Sequence, residues 1–132
     1  GAGVPMTDPA TVLAAIHADA EELDAIGKSL YTATENYIQA EEAWDLLADA
    51  IGESLIEEYR DAGRKSDPAE HTIISATRRA HRAQWTRLRR AKKTLEFQQQ
   101  RLQAKRELSE LLTDRAAVLE VVKAQREARK AA

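Results

Sequence analysis

The sequence predicts an all-α protein, a long antiparallel two-helix hairpin of coiled-coil type that dimerises into a helical bundle. Three observations predict it. Aromatic residues make up only 5% of 132 residues, while Ala, Glu, Arg, Leu and Lys dominate, a composition typical of long helices. Two nearly identical helix starts, Thr7-Asp8-Pro9-Ala10 and Ser66-Asp67-Pro68-Ala69, lie one arm apart. Between them, apolar residues recur every seven positions, the spacing that keeps one seam against a partner helix.

Residues 1–6, Gly-Ala-Gly-Val-Pro ahead of Met6, read as a vector-derived remnant or disordered N-terminus. A single domain then covers 7–130, with helix 1 over about 8–62, a turn at 63–66 and helix 2 over about 67–130. The first start is capped by Asp8, whose carboxylate accepts orphan N–H groups, and Pro9 suits the first turn. In helix 1 Ile16, Leu23, Leu30, Tyr37, Trp44 and Ile51 form one row of the seam, and Ile26, Ala33, Ala40 and Leu47 the other. Gly27 and Gly52 are its weak points, each a break or a close-approach slot. Gly63 takes a left-handed conformation that ends the helix.

Asp67 caps the second start, with Glu70 at capping-box spacing. In helix 2 Ile74, His81, Leu88, Leu95 and Leu102 repeat by seven, with Thr77, Gln84 and Ala91 beside them. After Leu102 the seam is expected to slip, resuming at Leu108, Leu112, Leu119 and Val122 as a stutter or a change of partner. His81 is expected as a hydrogen-bonded core histidine. A turn near Arg64 pairs residues whose numbers sum to about 129, which sets Trp44 opposite Trp85 and Gly27 opposite Leu102. Val12, Leu13, Leu46, Ile56, Leu111, Val118 and Val121 are left over to form a second seam with another copy of the chain.

Charge is sorted between the arms. Residues 1–62 hold 14 acids against two bases, and residues 63–132 hold 18 bases against eight acids. Glu41, Asp45, Asp49, Glu53, Glu57 and Asp61 climb helix 1 at i+4 spacing, where like charges repel and call for cations nearby. Projected on one helix, Arg78, Arg79, Arg82, Arg89, Arg90 and Lys93 share an arc of about 120° facing away from Leu88. Two readings stand: the bases neutralise the acidic arm across the seam or between subunits, or they grip a nucleic-acid phosphate backbone. Trp85 is expected in the seam and Phe97 stands alone, so single-strand stacking has no support.

Enzyme chemistry is not expected. There is no cysteine, no Glu-x-x-His or His-Glu-x-x-His, no phosphate loop and no dinucleotide fingerprint. Ser29, Ser54, Ser66, Ser75 and Ser109 lack the glycine-rich elbow that presents a nucleophile. No catalytic residue, metal, cofactor or small-molecule substrate is therefore assigned. No apolar run of about 18 residues is present, so no membrane partner is expected and the location is read as cytoplasmic.

The run Tyr37 to Glu58, then Tyr59-Arg60-Asp61-Ala62-Gly63-Arg64-Lys65-Ser66-Asp67-Pro68, Arg89 to Glu96 and Leu102 to Ser109 resembles small helical-hairpin proteins of tailed phages. Those are encoded near single-strand annealing recombinases and single-strand-binding proteins. The resemblance spans about residues 30–112 and transfers no functional residue. It implies an accessory role in phage DNA recombination or replication, in the host cytoplasm, with DNA or a DNA-handling protein as partner. The alternative is a protein-interaction module whose acidic arm mimics DNA to occupy a host nucleic-acid-binding protein.

Overall fold

A computed structural model describes residues 8–131. Among these residues the protein is all-helical, with α1 over Pro9–Asp61, α2 over Glu70–Ala80 and α3 over Arg82–Ala131. Two compact units result, one from residues 8–30 with 98–131 and one from residues 31–97. The leader, and Thr7 of the first start, lie outside the described residues.

Asp8 caps α1 as expected. Its carboxylate accepts from the Ala10 N–H at 3.3 Å and the Thr11 hydroxyl at 3.2 Å. The helix runs unbroken through Gly27 and Gly52. At Gly52 a Cβ would stand 3.5 Å from Ile73 Cδ1, ordinary van der Waals contact, so packing there does not require glycine. A Cβ on Gly27 would meet nothing within 4 Å, so the expected pairing of Gly27 with Leu102 is not made.

The end of α1 follows from one glycine. Gly63 has φ 72°, its N–H reaches the Arg60 carbonyl, and the Arg64 N–H reaches the Tyr59 carbonyl, both at 3.0 Å. This pair of bonds satisfies carbonyls that a helix end leaves unmatched. The Arg64 guanidinium then lies 4.2 Å from the centre of the Tyr59 ring.

The second start departs from expectation. Asp67 does not cap a helix: α2 begins at Glu70, behind Ala69, and no side chain caps it. The residue before a proline is pushed out of helical geometry, and Pro68 is buried rather than exposed at a first turn. The linker is therefore 62–69, longer than a turn at 63–66.

The expected helix over 67–130 is also interrupted, at His81 (φ −130°, ψ 55°). Four residues earlier, the fully buried Thr77 turns its hydroxyl back onto the Ile73 carbonyl at 2.7 Å, a bond that bends helices. The His81 N–H still reaches the Thr77 carbonyl, and the Trp85 N–H reaches the His81 carbonyl. His81 thus ends α2 and starts α3 with its backbone. Beyond the break Gln84 is exposed and Trp85 is half-buried, while Leu88 and Ala91 keep their expected half-buried places, so the departure is local to 84–85.

In the 31–97 unit, Ala33, Ala40 and Trp44 are buried. Trp44 packs on Trp85 with ring centroids 5.2 Å apart and planes tilted by 46°. Because Gly52 meets Ile73 while Trp44 meets Trp85, the packed segments run in opposite directions.

The other unit buries Val12 and Ile26, and its α3 segment corrects the expected slip. Gln98, Leu102, Lys105, Ser109, Leu112, Ala116, Leu119 and Val122 are the half-buried positions; Leu112, Leu119 and Val122 lie as expected, whereas Leu108 is 59% exposed. The rows Leu88, Leu95, Leu102 and Ala91, Gln98 simply continue by seven, onto Ser109 and Lys105. Polar residues occupy the seam in place of a register change. Lys105 Nζ lies 2.6 Å from Asp19 Oδ1 and 2.7 Å from Glu22 Oε2. Ser109 Oγ lies 2.6 Å from Asp19 Oδ2 and 2.9 Å from the Lys105 carbonyl, and its one proton serves one acceptor at a time. Asp19 continues the Ile26 row one heptad back. A matched polar layer of this kind fixes register, since a slipped pairing strands charge among apolar groups.

This layer sets a pH window. Hydrogen bonds from Lys105 and then Ser109 hold the Asp19 carboxyl below its usual value, and Asp19 and then Glu22 hold the Lys105 ammonium above its usual value. Asp19 therefore contributes stability that is present above about pH 3.9 and is lost as pH falls through its lowered folded value. Lys105 contributes stability that is complete below about pH 10.4 and is lost as pH rises through its raised folded value. Hydrogen exchange in residues 8–30 and 98–131 should be slowest relative to intrinsic rates between those limits. Protection that is unchanged at both extremes would contradict the pairing.

Candidate nucleic-acid interface

The break at His81 divides the predicted basic arc. Arg78 and Arg79 close α2, whereas Arg82, Arg89, Arg90 and Lys93 belong to α3, so a single helical projection no longer describes all six. Every one of them is exposed. The Arg78 guanidinium lies 4.2 Å from the centre of the Trp85 ring. With Trp44 and Arg78 both packed on it, that ring offers no free platform to a nucleobase.

Direct ion pairing of these bases with the acidic ladder is not seen among the described residues. Among the described residues the ion pairs are Lys28 with Asp24 and Lys105 with Asp19 and Glu22; none joins the six bases to the ladder from Glu41 to Asp61. All six ladder acids are exposed as well. Helical geometry explains the mismatch. At 3.6 residues per turn an i+4 ladder rotates by about 40° per step, so its acids wind around α1 instead of tracking one flank of α3.

The α3 bases border two different grooves. On one flank Arg89 and Lys93 stand with Lys92, Glu96 and Tyr37. That flank is acidic as well as basic: the Tyr37 phenol is pushed up by its hydrogen bond to Glu41 first, then by burial and by the charges of Glu41, Asp45 and Glu96. On the other flank Arg90 stands with Arg87, Thr86, Thr94 and Asn36, above a floor of alanines that includes Ala33 and Ala91. No carboxylate lines that groove.

Sequence reading missed Arg87 and Lys92 as members of these surfaces. Both lie toward the seam edge of the projection, outside the arc centred opposite Leu88. The signal that marks the second groove is the i+3/i+4 series Ala83, Thr86, Arg87, Arg90, Thr94, a face of small and hydrogen-bonding residues.

Among the described residues no group of three or more His, Cys, Asp or Glu is placed to hold a metal ion. No described helix is long and apolar enough to cross a membrane. Comparison of the chain with protein-family models, with characterised proteins and with solved structures finds no match, so the functional reading rests on this chain's own residues.

Proposed function

We propose that this chain is a non-enzymatic accessory of phage-type DNA recombination or replication. It acts as an antiparallel coiled-coil hairpin that dimerises and holds nucleic acid through Arg78, Arg79, Arg82, Arg89, Arg90 and Lys93. The observation that carries the reading is that these six cations are exposed and make no ion pair among the described residues. Exposed cations without a carboxylate partner attract polyanions and release counterions on binding.

Dimerisation is supported by apolar side chains with nothing to cover them. Leu13, Leu46, Leu111, Val118 and Val121 are between 57% and 72% exposed. Val12 and Ile56 do not serve as leftovers in this way, because Val12 is buried and Ile56 half-buried within the chain.

Replacing Arg82 and Arg89 with Ala tests the assignment. Binding to DNA of different sequences should weaken uniformly, and the slope of log K against log salt should flatten by about one unit per lost phosphate contact. An unchanged slope would remove these two residues from the interface.

A second reading is favoured by the ladder, whose six acids are also exposed and make no ion pair among the described residues. In it the acidic arm occupies the nucleic-acid site of a DNA-handling protein. It requires that a mixture of protein and DNA not associate, and that a basic DNA-binding protein capture the chain in competition with DNA.

A further inference from the structure

We propose that the alanine-floored groove between α1 and α3, walled by Arg87 and Arg90, is a seat for the sugar–phosphate backbone of duplex nucleic acid. The inference rests on the nucleic-acid reading above and deepens it, because it selects one flank of α3 over the other and assigns a contact residue, Arg87, that lies outside the predicted arc.

Four features of the groove fit a phosphodiester chain. Its charged lining is wholly cationic, from Arg87 and Arg90, and guanidinium groups match phosphate oxygens with paired donors. Its uncharged polar lining, Asn36, Thr86 and Thr94, consists of the hydroxyl and amide donors that position a backbone. Its floor is alanine, so a bulky chain approaches the helices closely. Aromatic residues are absent from the lining, which gives a base nothing to stack on and favours a duplex over a single strand.

The acids of α1 strengthen the choice of flank. At about 100° per residue, Thr32, Asn36 and Gln39 share the side of α1 that borders this groove, and all three are exposed and uncharged. Glu41 and Asp45 begin the ladder on the opposite side, where they act on Tyr37, and Asp45, Asp49 and Glu53 line the groove against Ile73 and Ile74. A phosphate chain lying along Arg89 and Lys93 meets carboxylates; one lying along Arg87 and Arg90 does not.

The test compares two double variants of equal charge change on the intact chain, with helicity checked by circular dichroism. The probe is a short mixed-sequence DNA duplex, titrated over a range of salt, with the matching single strand in parallel. Arg87→Gln with Arg90→Gln should lower duplex affinity about tenfold or more and flatten the salt slope by about two units. Arg89→Gln with Lys93→Gln should do distinctly less. A third variant, Ala83→Glu, sets a carboxylate in the exposed wall of the groove and should abolish binding while leaving helicity intact. Equal losses from the two pairs, binding that survives Ala83→Glu, or tighter binding of the single strand would overturn the groove while leaving the basic surface of α3 as the interface. Failure of the unaltered protein to bind the duplex at low salt would overturn both.

Discussion

Trp44→Ala should destabilise the 31–97 unit by about 3–5 kcal/mol, the range for truncating a buried Trp or Phe. Trp44 is 8% exposed and sits against Trp85. Its buried neighbour one turn away on α1 is small, Ala40, and an alanine cannot swing into the space that the indole leaves. A cavity therefore persists, and Trp85 loses the ring that holds it. Because a domain is typically stable by only about 5–15 kcal/mol, this single change removes much of the margin. Urea unfolding followed by circular dichroism and by the fluorescence of the remaining Trp85 measures the loss. A change below about 1 kcal/mol, ordinary for an exposed site, would mean that the Trp pair is not the packing centre of this unit.

Asp19→Ala should be the most damaging polar substitution in the unit formed by residues 8–30 and 98–131. The Lys105 side chain is only 17% exposed and relies on Asp19, itself 13% exposed, for its closest contact. Removing the carboxylate leaves an ammonium in the seam with one exposed partner, Glu22, and leaves Ser109 only the Lys105 carbonyl as acceptor. Replacing the pair together, Asp19→Leu with Lys105→Leu, should recover the lost stability, since apolar isosteres of a buried pair are commonly neutral or better. The recovered protein should pair its helices less specifically, which cysteine crosslinking between neighbouring registers would register as mixed products. If Asp19→Ala leaves the melting temperature where it was, the polar layer holds nothing together.

How much of this was legible follows from where the period of seven holds. In α1 the row Ile16 to Ile51 and its companions read correctly, because each position is a residue that water rejects, and Trp44 against Trp85 set the pairing. The seam of α3 was misread at Lys105 and Ser109 because hydropathy treats a polar residue as exposed; only its spacing from Leu102 and Ala91 shows that it faces inward. The break at His81 was hidden for a different reason. No proline or glycine marks it, and the hydroxyl that folds back on a carbonyl at Thr77 recurs at Ser109 and Thr113 without breaking α3. Asp67-Pro68 carried the chemistry of a helix start, yet burial of Pro68 moved the start to Glu70. For the charged surface, the sequence identified which residues are basic and exposed. Which flank of α3 they border depends on the winding of the ladder around α1 and on the neighbours of Arg87, and both are three-dimensional.

The central claim is that Arg78, Arg79, Arg82, Arg89, Arg90 and Lys93, none of which is in an ion pair among the described residues, hold a polyanion. One titration tests it most directly: the unaltered protein against a mixed-sequence DNA duplex over increasing salt. Counterion release predicts binding at low salt that weakens along a straight, clearly negative slope of log K against log salt, at about 0.9 per phosphate neutralised. No binding at low salt would contradict it, and would leave the exposed acids of α1 as the surface that acts.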